Sequence, residues 1–306
     1  MTEPTEKDKQ KAYIFLSVTT AVWGSLYVVT RIALKTIPPI TLLFSRYSIA
    51  CMILLAICFI GKKNMKIEAE DRKSFLLIGV FGYFIAVGSQ VFGTKYAGAS
   101  VASLVNSMNP IFITLFAVVL LKEKLTLSKV LAGIASLTGV YIILGGAQST
   151  GTTWGVAFSL ASVLLWAITA ISVRRITKKY DPIVVTTYAI MIATAASLPF
   201  AGYEVLLTPH AALFSTVSIL CVLYLGAVCT AIPGFLWNKS LSLVDASTCS
   251  LFYPIQPLVS VLLGILFLSE KIDLKFFTGA ILIMGGIFYA IYMEKQGKVV
   301  LKEAAI

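Results

Sequence analysis

Two stretches decide the fold: ASVASLVNSMNPIFITLFAVVLLKEKLTL over residues 99–127, and ASTCSLFYPIQPLVSVLLGILFLSEKIDL over residues 246–274. At an offset of 147, Ala99, Ser100, Ser103, Leu104, Pro110, Leu115, Leu121, Glu123, Lys124, Leu127 and Gly139 fall on Ala246, Ser247, Ser250, Leu251, Pro257, Leu262, Leu268, Glu270, Lys271, Leu274 and Gly286, without a gap. Earlier in the chain an offset of 143 carries Trp23, Arg31, Pro39 and Ile40 onto Trp166, Arg174, Pro182 and Ile183. Apolar residues match by chance in any two greasy segments. A Trp, a Pro and a Glu-Lys pair at fixed offsets do not, so the chain reads as two copies of one unit.

Each quoted stretch is an apolar run closed by charge, and such runs fill the chain. Ten can be marked: 12–34, 39–60, 74–93, 98–121, 128–146, 153–173, 182–202, 212–236, 245–268 and 275–293. Each is about the 20 residues that a helix needs to cross a bilayer. Apolar runs of this length must be helices, because lipid offers no partner to an open strand edge. The expected fold is all-α, a polytopic membrane protein with ten transmembrane helices in two five-helix repeats, 12–146 and 153–293, flanked by tails at 1–11 and 294–306. Five is odd, so the second repeat enters the membrane from the opposite side and the repeats are inverted.

Composition agrees. Of 306 residues, 58% are hydrophobic and 13% charged, against about 25% charged in a soluble domain; mean hydropathy is +0.91. Neither a soluble enzyme nor a disordered chain fits these values. The net charge of +11 sits in short clusters between apolar runs and does not point to nucleic acid. Under the ten-span layout nineteen Lys and Arg lie on the side of the termini and five on the other, with Arg46 inside a span. That bias places both termini in the cytoplasm; the expected location is the plasma (inner) membrane. The run 12–34 is too long for a signal h-region and no A-x-A site follows it, so it is read as the first span.

Catalytic chemistry has no foothold here. The lone histidine, His210, follows Pro209 in a loop, and no mid-span carries Asp, Glu or His. The five cysteines lie inside apolar runs, with no CxxC pair, so they read as small buried hydrophobes, and neither a disulfide framework nor a metal site is expected. There is no nucleotide-binding loop, and no cofactor, catalytic residue or metal ligand is expected.

What remains is polar and aromatic. Trp23 and Tyr27 are four apart and share a helix face; Trp166 and Thr169 echo them in the sixth span. Gln90 sits near the outer end of the third. Asn106 and Asn109 precede Pro110, and Tyr253 and Gln256 precede Pro257 in the copied place. Amides are expensive in lipid and should face the interior, where they either bridge helices or meet a ligand. The tryptophans either pack or line a cavity, and Trp237, near a run's end, reads as an interfacial anchor. Pro110, Pro233, Pro254 and Pro257 lie within spans, as static kinks or as hinges that free carbonyls. Arg46 either snorkels to the surface or meets a substrate carboxylate or gate. Glu123 and Glu270, beside lysines at span exits, suit helix-end pairing or capping of the next span. Gly133, Gly139, Gly279, Gly285 and Gly286 suit close helix contact.

These residues carry a resemblance. Trp23-Gly24-Ser25, Arg46-Tyr47, Asn109-Pro110 and Glu123-Lys124 with Gly133 and Gly139, then Pro257, Glu270-Lys271, Gly279 and Gly286, resemble the drug/metabolite transporter superfamily in its EamA-type ten-span branch. The resemblance spans about residues 12–293; Ala189 stands where the second copy would repeat Arg46. It implies kinship with YddG-like and RhtA-like exporters of amino acids and other metabolites. It also implies a central cavity lined mainly by spans one, three, four, six, eight and nine. The expected function is secondary-active or facilitative transport of a small organic metabolite by alternating access, with the lipid bilayer as environment and no ATP or nucleic acid as partner. A cavity whose one fixed charge is Arg46 suits a zwitterion or a neutral amphiphile. A membrane-embedded enzyme or a non-transporting receptor are the alternatives.

Overall fold

The computed structural model describes residues 5–121, 127, 131, 134, 135, 138, 139, 142, 150–207, 215–244, 246–250, 252–270 and 274–303. Among them every regular element is helical. The helices are α1 (Glu6–Ala33), α2 (Pro39–Ile60), α3 (Ala69–Ala97), α4 (Ala99–Asn106), α5 (Asn109–Leu121), α6 (Thr150–Ile176), α7 (Pro182–Leu206), α8 (Thr216–Leu243), α9 (Ala246–Ser250), α10 (Ile255–Leu268) and α11 (Leu274–Glu303). Six of these, α1, α2, α3, α6, α7 and α8, are long and apolar enough to cross a membrane. Their outer faces stay apolar: Phe59, Phe81, Phe200, Leu206 and Leu220 are all exposed, a surface that suits lipid and not water. The run expected at 128–146 lies mostly outside the described residues, as do His210, Glu123 and Lys124.

Helix starts follow the sequence. Thr5 caps α1 in a reciprocal capping box with Asp8. Pro39 and Pro182 open α2 and α7 at a position where no N–H is needed. At α7 the carboxylate of Asp181 accepts from the Ile183 N–H at 3.1 Å. At α2 the acceptor comes from far away: Glu204, near the end of α7, accepts from the N–H groups of Ile40 and Thr41 at 3.2 and 2.7 Å. A carboxylate is favoured there because the orphan amides and the helix dipole both present positive charge.

The expected fourth and ninth spans are each broken in two. Between α4 and α5 the chain turns at Ser107–Met108, and between α9 and α10 around Phe252–Pro254. Pro110 and Pro257 therefore sit in the first turn of α5 and α10. They begin half-helices, where a missing N–H costs nothing, and do not kink the middle of a long one.

Packing is laid out by α2 along α7, α3 along α6, and α1 against both α8 and α10. Wide π-type turns run through Ile78–Ala86 in α3 and Tyr224–Ala231 in α8, and each carries a glycine pressed onto a neighbour. A Cβ on Gly79 would come within 2.6 Å of the Ile192 Cβ and 3.2 Å of the Ala189 carbonyl. A Cβ on Gly226 would come within 2.7 Å of the Ile49 Cβ and 2.8 Å of the Arg46 carbonyl.

The stretch that leads from α2 into the first turn of α3 is tied down by charge. Lys179 pairs with Glu68 and Asp71 at 2.5 and 2.7 Å, Tyr180 donates to Asp71 at 2.7 Å, and Lys63 pairs with Asp181 at 2.7 Å. The Lys179 hydrogen bond holds Asp71 below its ordinary 3.8, and Asp71 and Glu68 hold Lys179 above its ordinary 10.5. A lowered acid stabilises above its unfolded value and stops doing so as pH falls through the folded one. A raised base stabilises below its unfolded value and stops as pH rises through the folded one. The tie therefore holds at neutral pH. Backbone hydrogen exchange over Glu68–Arg72 should be slow there and quicken in Lys179→Met; unchanged exchange would show that the tie does not order the start of α3.

Candidate functional site

Arg46, Trp23 and Trp166 converge on a cavity at the centre of the bundle, with about 610 Å³ of space between its side chains and at its mouth. Trp23 and Leu26 come from α1, Arg46 and Tyr47 from α2, and Tyr83, Val87 and Gln90 from α3. Asn106 and Asn109 flank the α4–α5 break, Ser162 and Trp166 come from α6, Cys229, Thr230 and Gly234 from α8, and Tyr253 and Gln256 flank the α9–α10 break. The broken helices explain the site. Where a helix stops inside the bundle its polar groups are exposed inward, and irregular backbone at membrane depth is tolerated only against protein or a cavity.

The walls are aromatic. Trp23 lies 5.3 Å from Trp237 and 6.1 Å from Trp166, ring to ring; Tyr83 lies 5.4 Å from Trp166, and Trp237 lies 5.1 Å from Tyr253. Their polar tips are held. Trp166 donates to the Tyr253 hydroxyl, and Tyr47 donates to the Tyr83 carbonyl at 2.8 Å. The Trp23 indole donates to the Cys229 carbonyl at 3.2 Å, four residues before Pro233. Proline has no N–H to offer that carbonyl. Pro110 likewise frees the Asn106 carbonyl, which accepts from the Asn109 amide at 2.7 Å. That freed carbonyl is thus engaged by a neighbouring side chain.

Of the ten expected cavity residues, the structure brings eight to the lining: Trp23, Arg46, Gln90, Asn106, Asn109, Trp166, Tyr253 and Gln256. Tyr27 lies one layer behind, fully buried, where its hydroxyl accepts from Gln90 at 2.7 Å and faces Gln256 at 3.5 Å. Thr169 packs on Gly82 and donates to the Leu165 carbonyl at 2.7 Å. It serves helix contact outside the lining.

Three expectations need correction. Trp237 is 1% exposed and packs between Trp23 and Tyr253, so it is no interfacial anchor; the exposed tryptophan is Trp154 at the start of α6. Arg46 does not snorkel, for it is 2% exposed and faces inward. Glu270 does not cap the next span. Its carboxylate accepts from the N–H groups of Ala99 and Ser100, at 2.9 and 3.1 Å, and from the Ser100 hydroxyl, so it closes the start of α4 in the other half of the chain.

Sequence reasoning missed Tyr47, Tyr83, Asn238 and Thr230. Asn238 donates to the Tyr83 hydroxyl at 3.1 Å and to Thr186 at 2.8 Å, fully buried. The available signal was physical: a tyrosine inside an apolar run needs a partner for its hydroxyl, and the spans offer few.

The sequence model described as the EamA-like transporter family matches residues 10–145 and again 153–292. An uncharacterized transporter of Archaeoglobus fulgidus is 27% identical over 282 residues, covering 92% of this chain and 99% of its own. The uncharacterized transporter YetK of Bacillus subtilis is 24% identical, with 95% and 89% covered. The protein PagO of Salmonella typhimurium is 25% identical, with 81% and 82% covered. One protein of known crystal structure superposes with a TM-score of 0.71 at 20% identity, over 93% of this chain and 98% of that one, which shows a shared fold.

Proposed function

We propose, on the premise that this chain belongs to the EamA-like transporter family, that it carries a small organic metabolite across the plasma membrane by alternating access, as an exporter of amino acids or related compounds. Relatives described as transporters place it among multi-pass membrane transporters. The observation that carries the finer reading is the cavity: one central site built from both halves of the chain.

The two halves act as inverted repeats, 12–146 and 153–293. Support comes from the two matched ranges and from reciprocal packing. Gly79 meets Ile192 and Ala189, while Gly226 meets Ile49 and Arg46, and each residue of one set is the sequence counterpart of one in the other at the offsets of 147 or 143. Related halves around one site provide two related gates, and rocking one half against the other exposes the site to alternate sides. Flux into proteoliposomes tests this. Saturable uptake of labelled amino acids, with counterflow, is expected; chemical turnover without flux would instead identify an enzyme.

Both termini and the loop 61–73 face the cytoplasm in this reading. A cysteine at Asn64 should resist a membrane-impermeant maleimide in intact cells and react once the membrane is opened. Labelling from outside intact cells would reverse the orientation.

A further inference from the structure

We infer that the cavity requires a single negative charge on its substrate and that Arg46 is the group that receives it, so that the ligand class is a small organic carboxylate with an apolar or aromatic body. The inference rests on the carrier reading and narrows it: the carboxylate is obligatory and an ammonium group is dispensable.

The first observation is an uncompensated cation. Arg46 is 2% exposed, and its Nε and Nη1 have no hydrogen-bond partner. Arginine does not lose its proton inside a protein. A guanidinium with open donors in a buried site is costly unless something pairs with it. No described residue lining the cavity is Asp or Glu. The carboxylate of Glu204 is engaged by the first amides of α2, and that of Glu270 by the start of α4. Tyr47 meets part of the charge, with its ring 5.2 Å from the guanidinium carbon and a side-chain hydrogen bond to Arg46, and this offsets only part of the cost.

The second observation is the shape of the surroundings. The aromatic side chains of Trp23, Trp166 and Tyr253 offer an apolar wall, and their own polar tips are already bonded. The buried Oδ1 of Asn109 lacks a donor, so the site also has a place for one neutral N–H or O–H. A ligand with one anionic end, an apolar body and one donor matches all three. An amine lacking the carboxylate can meet the wall and the Asn109 acceptor but leaves the guanidinium unpaired.

Third, Arg46 has no copy. Its counterpart is Ala189, whose carbonyl faces Gly79 as the Arg46 carbonyl faces Gly226. The shared backbone packing is met by alanine as well as by arginine, so packing does not require the guanidinium.

The test uses the purified full-length protein and two matched sets: leucine, 4-methyl-2-oxopentanoate, leucinamide and 3-methylbutylamine, and phenylalanine, 3-phenylpropanoate, phenylalaninamide and phenethylamine. Binding is read by thermal shift and by competition. At least one acid lacking an amine should bind, with amides and amines at least about tenfold weaker, as loss of a charge-assisted bond implies. Arg46→Met should weaken the acids by about tenfold to a hundredfold. It should also raise the melting temperature of the ligand-free protein, because it removes an unpaired buried charge. Arg46→Lys should recover part of the affinity. Amides or amines binding as well as the acids would overturn the inference, as would no binding by any acid, or unchanged acid affinity in Arg46→Met. A ligand-free Arg46→Met that melts lower than wild type would make the arginine structural and overturn it too. Flux of amines through the wild-type carrier would defeat this inference while leaving the carrier reading intact; binding of acids without flux in proteoliposomes would do the reverse.

Discussion

With valine in place of Gly226, little folded protein accumulates in the membrane, and what is extracted melts far below the wild type; Gly79→Val gives the same result. A methyl at either position already meets another Cβ at 2.7 or 2.6 Å, and at Gly226 the Arg46 carbonyl at 2.8 Å is backbone and cannot rotate away. Overpacking of this kind costs about 1–3 kcal/mol for one or two extra carbons, and valine adds three at a helix crossing with no slack. The control is Gly202→Ala, where an added Cβ meets nothing within 4 Å and the helix gains intrinsic preference. Fluorescence-detected size exclusion with a thermal ramp reads all three. Wild-type melting of Gly226→Val would mean that α8 can step away from α2, and that the close contact is not what sets their separation.

Glu270→Gln produces the second large effect, on access to the cavity. The carboxylate joins the end of α10 to the start of α4 through three donors: the Ala99 and Ser100 amides and the Ser100 hydroxyl. Room for it is made by Gly98, at φ +87°, and by Gly264, whose absent Cβ would lie 2.8 Å from the carboxylate. A hydrogen bond to a charged group contributes about 1.5–3 kcal/mol, so loss of one shifts an open–closed equilibrium about tenfold to a hundredfold. Ser260, fully buried on α10, donates to the Ala99 carbonyl at 3.2 Å and reports on this seam. A cysteine at 260, in a background without the native cysteines, should react with an impermeant maleimide at least about tenfold faster in Glu270→Gln. An unchanged rate with a lowered melting temperature would reduce Glu270 to a static cap.

Much of this was legible in the chain. The bounds of α2 match its apolar run because that run lies between Pro39 and Gly61; α6 exceeds its run by three residues at each end, α1 begins six residues before its run and α7 ends four after. The runs stopped short at α3 and α8, which continue to Ala97 and Leu243, because Lys95, Asn238, Lys239 and Ser240 lower the local hydropathy. Asn238 is polar in composition yet buried in fact, with its amide N–H groups taken by Tyr83 and Thr186. Pro110 and Pro257 were visible as breaks, but the side on which each helix stopped was not, because a proline fits equally as a kink or as a first turn. Trp237 misled for a similar reason. Distance along a run says nothing about rotation about the helix axis, and rotation decides whether a side chain meets lipid or Trp23.

Arg46 faces the cavity from one half of the chain, and the other half answers with Ala189. A carrier whose site is lopsided in this way need not hold its cargo equally well from both faces of the membrane. Unequal grip does not make a one-way valve, however. Around a closed cycle with no external drive, detailed balance ties the two directions together: a tighter hold on one face is repaid by slower release there, and net flow follows the cargo's own gradient. If the ligand carries one net negative charge, the membrane voltage adds to that gradient, by about 2.3 kcal/mol per charge for each 100 mV. In a cell negative inside, that voltage drives a monoanion outward. The arginine would then make export electrogenic, with the resting potential as its motor.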